Sequence, residues 1–273
     1  MKARKVGVKT GLFKLSVKIG LKFPFSKLGL TRLLIPMDIA RYFEIPTMAS
    51  ELCVTANEKI LDLSSPKLLA AYLASEVECN IEATDIYKKD LDEWGKLLSK
   101  FDQKFNNINW RVVDGRKLPY KANSFDKAYS ISVLEHIKEN GDIKAIKELA
   151  RVVKSGGLLA FTVPVDHKGE EAYKNNIIYG QKLDKNGKLF WSRRYTPETL
   201  VKRLIKPSGL KLKKLEYCYE KYPLFSTVHS NLLPWSVLFG WLYPIIARIS
   251  LKRCSKLPKN VSVANALVVL TKT

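Results

Sequence analysis

Apolar residues along the chain fall into two different rhythms. From about residue 58 onward, short apolar runs alternate with segments whose apolar positions recur every three to four residues, which predicts strands and helices in turn. Lys59 to Leu63 reads as a first strand. Ser65-Pro66 then opens a helix through Ala74, with serine at the cap and proline in the first turn, where its missing N–H is not needed. Asn80 to Ile86, Asn109 to Val113, Phe125 to Ser132 and Leu158 to Val163 read as further strands, with helices over Asp90 to Phe101 and Asp142 to Val153. Thr196-Pro197-Glu198 caps another helix through about Ile205, and Lys211 to Tyr219 and Ala264 to Thr271 supply two last strands. Such alternation predicts an α/β fold, a mostly parallel sheet with helices on both faces.

Two stretches break this rhythm. Residues 1–50 form a basic, amphipathic N-terminal segment ahead of a principal domain over 51–273, and residues 223–262 form an apolar and basic insert before the last strand. In the first, Lys14, Lys18 and Lys22 recur every four residues among Leu, Ile and Phe. A helix would gather them into one stripe, whereas a strand would alternate polar and apolar sides, and the pattern allows both. In the second, Leu232 to Ala247 is a run of 16 uncharged residues, about 24 Å as a helix against ~30 Å of hydrocarbon, and Pro234 and Pro244 interrupt it. Because strands flank it, both ends return to one side of any membrane. The expectation is an interfacial or re-entrant hairpin, with Trp235, Trp241 and Tyr243 at headgroup level and Arg248, Lys252, Arg253 and Lys256 toward anionic lipid. A lid or an oligomer interface is the plainer alternative.

Charge strengthens the surface reading through its distribution. The formal net charge is +21, yet every acidic residue lies between Asp38 and Glu220. Sixteen of the 47 basic residues lie outside those limits, leaving 31 against 26 acids in between. The ends therefore carry the excess, as suits an anionic surface or nucleic acid. With 273 residues and 46% hydrophobic content, one sizeable core is expected. Cys53, Cys79, Cys218 and Cys254 form no close pair and only three histidines accompany them, so neither a metal site nor a disulfide framework is expected. No apolar signal core follows the basic N-terminus, which points to a cytoplasmic protein, peripheral on the inner face of the membrane.

Candidate chemistry gathers where the strands end, since ligands of doubly wound sheets sit at the carboxyl edge. Strand one ends in Asp62-Leu-Ser64-Ser65-Pro66, strand two in Asp85-Ile86, strand three in Asp114-Gly115, and strand four runs into Leu-Glu-His136. Three carboxylates on one edge, spaced by 23 and 29 residues, make a nucleoside-binding pattern.

The runs "VVDGRKLPYKANSFDKAYSISVLEHI" and "ELARVVKSGGLLAFTVP" resemble the later motifs of class I S-adenosylmethionine-dependent methyltransferases of the small-molecule type. The resemblance covers roughly Glu58 to Leu215 plus the last strand. It implies a Rossmann-like sheet of seven strands in the order 3-2-1-4-5-7-6, with the last strand antiparallel. It also implies S-adenosyl-L-methionine as cofactor: Asp85, with Ile86 beside it, would take the ribose hydroxyls, and Asp114 and Gly115 the adenine. Asp62, Ser64, Ser65 and Ser130 would hold the methionine end. The first motif departs from the family, reading Asp62-Leu-Ser-Ser-Pro-Lys with no glycine, although a capped helix start there could still receive a carboxylate.

A sulfonium methyl is already activated, so the protein must mainly align a nucleophile and supply a base if the acceptor is a hydroxyl. His136 and His167, past strands four and five, are the candidate bases, each with a plainer reading as a turn or loop residue. Arg193, Arg194 and Tyr195 are candidates for reading an anionic acceptor, against a plainer reading as solvated loop residues. The expected function is methylation of a lipid, a lipid-linked glycan or another small amphipathic acceptor at a membrane surface. The alternatives are an RNA methyltransferase, using the basic ends on phosphates, and a non-catalytic membrane adaptor with the same fold.

Overall fold

The computed structural model describes residues 7–175, 183, 185–222, 240–261 and 264–273. Five strands, β1 (Lys59–Leu63), β2 (Asn80–Asp85), β3 (Ile108–Val112), β4 (Phe125–Ile131) and β5 (Val153–Val165), run parallel. Strands β6 (Glu171–Lys174) and β7 (Leu189–Arg193) form a separate antiparallel pair. The sheet is completed by β8 (Lys211–Glu220), β9 (Leu251–Cys254) and β10 (Ala264–Thr271), in the order β3-β2-β1-β4-β5-β10-β8-β9. This is the expected order with one further edge strand, β9, drawn from the segment read as insert. Strand β10 is antiparallel to both β5 and β8, as the resemblance implied.

Central strands are apolar on both faces because helices cover both faces. Ile60, Leu61 and Leu63 of β1 are buried, as are Ala266 to Leu270 of β10. On one side lie α4 (Leu68–Glu76) and α5 (Lys88–Ser99), and on the other α6 (Gly141–Val152). Helix α7 (Pro197–Leu200) starts where the sequence placed it: Thr196 and Thr199 form a reciprocal capping box, with Pro197 in the first turn. It continues through a π turn over Val201–Ile205 into α8 (Lys206–Ser208), which ends at Gly209 with a left-handed φ of 68°. The helix expected from Ser65-Pro66 begins later, at Leu68. Ser65 does not cap it, because its hydroxyl accepts from the backbone N–H of Ile131, 2.9 Å away.

The N-terminal segment resolves as three helices, α1 (Val8–Lys22), α2 (Lys27–Leu34) and α3 (Arg41–Leu52). Leu12, Leu15 and Ile19 face inward at helical spacing while Lys14, Lys18 and Lys22 stay exposed, so the helical alternative holds. Leu12, Ile19, Met48 and Leu52 share one buried cluster with Ile60 and Tyr129. Each such side chain contributes on the order of 2 kcal/mol by leaving water, enough to pin the segment to the sheet. Helix α9 (Tyr243–Ser250) passes directly into β9 and lies against α3.

Candidate active site

At the carboxyl edge, β1, β2 and β3 end in register: Leu63 pairs with Thr84 and Asp85 with Val112. The chain leaves β1 through Ser64, whose φ of 53° is the left-handed conformation that the family fills with glycine. A serine there carries a strain of roughly 1–2 kcal/mol. Asp62 is fully buried and meets Lys67, itself buried, at 3.1 Å. The same ammonium donates to the Thr84 carbonyl at 2.9 Å, and Asp62 also accepts from Ser65 N–H at 3.0 Å. Burial pushes the Asp62 carboxyl above its ordinary range, while Lys67 and Ser65 pull it back. Ser130 donates to the Leu63 carbonyl at 3.2 Å, so Ser65 and Ser130 both lock the loop after β1 onto β4. Lys67 is the part of this site that the sequence reading missed.

Asp85 closes β2. One of its oxygens accepts from Tyr87 N–H at 3.0 Å, the other takes no hydrogen bond among the described residues, and burial holds its carboxyl above the ordinary range. Ile86 beside it is 48% exposed. Asp114 stands differently: Arg116 grips both of its oxygens through Nε and Nη2, and these hydrogen bonds hold its carboxyl below the ordinary range. An adenine amino group would reach Asp114 only as Arg116 swings aside, which the exposure of that side chain permits. Gly115 lies flat on β1, since a Cβ there would stand 3.0 Å from both methyls of Leu63. A half-free buried carboxylate at Asp85 and a surface cleared of side chain at Gly115 fit the nucleoside part of the S-adenosylmethionine that the resemblance implies. In the loop after β1, where the resemblance leads one to expect glycine, a buried cation, Lys67, stands instead.

A second cluster lies at the ends of β4 and β5. Ser132, also left-handed at φ 53°, donates to Glu44 Oε1 at 2.6 Å, and Thr162 does so at 2.9 Å. Glu44 comes from α3 and pairs with Arg41. Next to them Glu135 is buried, its Oε2 unpartnered among the described residues. Burial first, and Glu44 second, push the Glu135 carboxyl up to about 8. Neither glutamate was among the expected site residues. Their signals were a lone acid within the apolar run of α3 and the glutamate of the "VLEHI" motif.

His136 follows Glu135 on a short 3₁₀ turn. Its Nδ1 faces the Trp191 carbonyl at 2.6 Å, and since a carbonyl only accepts, Nδ1 carries the proton and Nε2 keeps its lone pair. Burial lowers the pKa of His136 below that of a free imidazole. Nε2 lies 3.8 Å from Glu135 Oε1. His167 belongs elsewhere: it is exposed, and its Nε2 meets the Pro258 carbonyl at 2.9 Å, on the loop after β9.

The expected acceptor-reading residues also divide. Arg193 is buried in strand β7, not on a loop, and its guanidinium holds the carbonyls of Glu139 and Ile137 and the carboxylate of Asp142. Tyr195 is 1% exposed and donates to Asp142 at 2.9 Å. Both tie β7 and the following turn to the start of α6, which leaves no donor facing solvent. Arg194 is exposed and reaches Asp166 at 3.4 Å. Of the expected membrane residues, Tyr243 is buried at 2% exposure and cannot reach a headgroup. Trp241 is half exposed, edge-on to Phe13, with its indole N–H on the Leu33 carbonyl. Trp235 lies outside the described residues. Among those residues no helix is long and apolar enough to cross a membrane, and no group of three or more His, Cys, Asp or Glu side chains is arranged to hold a metal ion.

Strand order and the antiparallel last strand are those implied by the resemblance to class I S-adenosylmethionine-dependent methyltransferases, and Asp62, Asp85 and Asp114 lie at or just past the ends of β1, β2 and β3. Residues 61–161 match the family model described as a methyltransferase domain. A stretch of 53 residues is 51% identical to a tRNA (carboxymethyluridine(34)-5-O)-methyltransferase of Arabidopsis thaliana, covering 19% of this chain and 13% of that one. Another of 108 residues is 26% identical to the methyltransferase GfsG of Streptomyces halstedii, covering 39% and 38%. The matched stretches thus span well under half the length of these curated relatives. Among solved structures, a geranyl diphosphate methyltransferase in complex with S-adenosylmethionine shares the fold at a TM-score of 0.57, with 11% identity over 92% of each chain.

Proposed function

We propose that the chain transfers a methyl group from S-adenosylmethionine to a small amphipathic acceptor, a lipid or lipid-linked glycan, at an anionic membrane surface. The observation that carries the reading is the placement of Asp85 and His136 on one sheet edge. Asp85 ends β2 and His136 follows β4, the two strands that flank β1, so both stand on the same edge of the sheet. When bound, the cofactor supplies an activated methyl group. Asp85 holds the ribose and Gly115 the adenine face. Lys67, with Ser64 and Ser65, shapes the methionine end. His136 takes the acceptor's proton on Nε2, while its Nδ1–H on the Trp191 carbonyl fixes the ring. Glu44 and Glu135, both buried, lie beneath this end of the edge.

The membrane part is supported by surface chemistry. Leu21 and Leu30 of the first two helices, Phe25 in the turn between them, and Trp241, Leu242, Ile245 and Ile249 around α9 expose large apolar side chains beside Lys18, Lys22, Lys27, Arg248 and Lys252. A second reading, methylation of RNA, is favoured by the stretch shared with the tRNA methyltransferase and by the charge of +21.

Calorimetry with S-adenosylmethionine tests the first step: heat is expected from the wild type and a large loss from Asp85→Ala. No heat from the wild type at high cofactor would favour a non-catalytic adaptor. Radiolabelled methyl transfer to a membrane extract against an RNA extract separates the two acceptors. Flotation with anionic liposomes at low salt tests the surface, and a protein left wholly in the soluble fraction contradicts it.

A further inference from the structure

Helix α3 borders the catalytic edge on one side and a separate cavity on the other. That cavity, of 590 Å³, lies between α1, α3 and α9 above β8 and β9. Its size falls in the range that takes a small organic ligand. Phe13, Phe43, Cys218 and Ala247 make its apolar wall, and Lys9 and Arg248 stand at its exposed rim. No acidic residue lines it among the described residues, and neither Lys9 nor Arg248 has an ion-pair partner there. Arg253, the third basic residue of the lining, is held on Glu216. Tyr42 lines the cavity too. It is 7% exposed, and its hydroxyl is buried without a hydrogen-bond partner among the described residues. A hydroxyl left that way is disfavoured by about 1–3 kcal/mol unless a ligand or water meets it.

Sheet register relates this cavity to the methyl-transfer edge. Cys218 on β8 pairs with Asn265 on β10, which pairs with Pro164 near the carboxyl end of β5. Two strand spacings, roughly 10 Å, therefore separate the cavity floor from the end of β5.

We infer that this cavity binds a single-chain anionic amphiphile, its hydrocarbon chain against Phe13, Phe43 and Ala247 and its phosphate or carboxylate head between Lys9 and Arg248. Tyr42 donates its hydroxyl to the oxygen that joins head to chain. As the seat of the methyl acceptor, the site rests on the function proposed above; as a binding site, it stands independently.

The test uses the full chain and dodecyl phosphate below its critical micelle concentration, followed by calorimetry. Saturable one-to-one binding is expected, and it should weaken ten-fold or more in Lys9→Glu/Arg248→Glu, a pair of exposed positions that leaves the fold intact. Tyr42→Phe should weaken it several-fold, Ala247→Phe should block it, and dodecyltrimethylammonium should not compete. The inference is overturned by absence of saturable binding, by equal affinity in the charge-reversed variant, or by association that begins only with micelles. It is also overturned if charge reversal abolishes liposome flotation but leaves dodecyl phosphate binding unchanged, for then the two cations serve a bilayer. Cofactor heats from the same samples keep the two readings apart. Dodecyl phosphate bound without any cofactor heat would sink the methyltransferase reading and leave this site standing; the reverse result would sink only this site.

Discussion

Replacing Lys67 by methionine tests how the loop after β1 holds together without glycine. The substitution keeps most of the volume and removes the ammonium that joins Asp62 Oδ2 to the Thr84 carbonyl. Both side chains of the ion pair are buried, so the carboxylate left behind has neither water nor a counter-charge. Removing one partner of such a pair destabilises by about 3–5 kcal/mol. The deficit should depend on pH. Alone, Asp62 has a folded pKa well above its unfolded ~3.9, so the folded variant binds more protons than the unfolded chain between those two values. Stability is then retained below the unfolded pKa and lost as pH rises, by at most about 1.4 kcal/mol per unit. Urea titrations at pH 5 and pH 7.5 should show the midpoint of Lys67→Met falling further below wild type at the higher pH, with the slope unchanged. Adding Asp62→Asn should restore most of the loss. A deficit under about 1 kcal/mol, or one equal at both pH values, would refute the idea that this ammonium neutralises Asp62.

Other outcomes follow from the same geometry. Glu135→Gln should gain stability relative to wild type as pH rises from about 5 to 8 and no more beyond, because over that range the buried wild-type carboxyl keeps its proton while that of the unfolded chain ionises; melting curves across that range check it. His136→Ala should lower turnover by 10² or more while sparing cofactor heat, and unchanged turnover would remove it from the mechanism. Since burial lowers the His136 pKa, the acid limb of kcat/KM should have its midpoint below 6.5, the ordinary value; a midpoint above it contradicts the assignment. Cofactor affinity should weaken as pH falls through the raised pKa of Asp85, and Asp85→Asn should flatten that dependence.

What the sequence made legible was what repeats locally. Apolar runs placed β1, β2, β4, β5, β8 and β10 to within a few residues, save for β5, which begins five residues earlier than read, and the Thr196-Pro197 signal placed α7. Strand β9 escaped because it is four residues long, sits on the sheet edge and is only partly buried, so Leu251-Lys-Arg-Cys254 shows no apolar run. The strand-or-helix choice over residues 11–24 was closed by packing of Leu12, Leu15 and Ile19, which no local pattern settles. At the site, the aspartates closing β1, β2 and β3 could be read because each ends a predicted strand. Lys67 could not, since its partner oxygen on Thr84 is 17 residues away. Arg193 and Tyr195 looked like free donors because Asp142, which takes both, lies more than fifty residues earlier. Glu44 reaches Thr162 across 118 residues, a distance at which only the folded sheet brings side chains together.

Among the described strands β10 is translated last, yet it lies between β5 and β8, which do not pair with each other. Until Ala264–Thr271 has left the ribosome, the facing edges of β5 and β8 present open backbone to any neighbouring chain. A nascent or prematurely stopped polypeptide would therefore be sticky at two places at once, and chaperone dependence should concentrate in that late interval of synthesis.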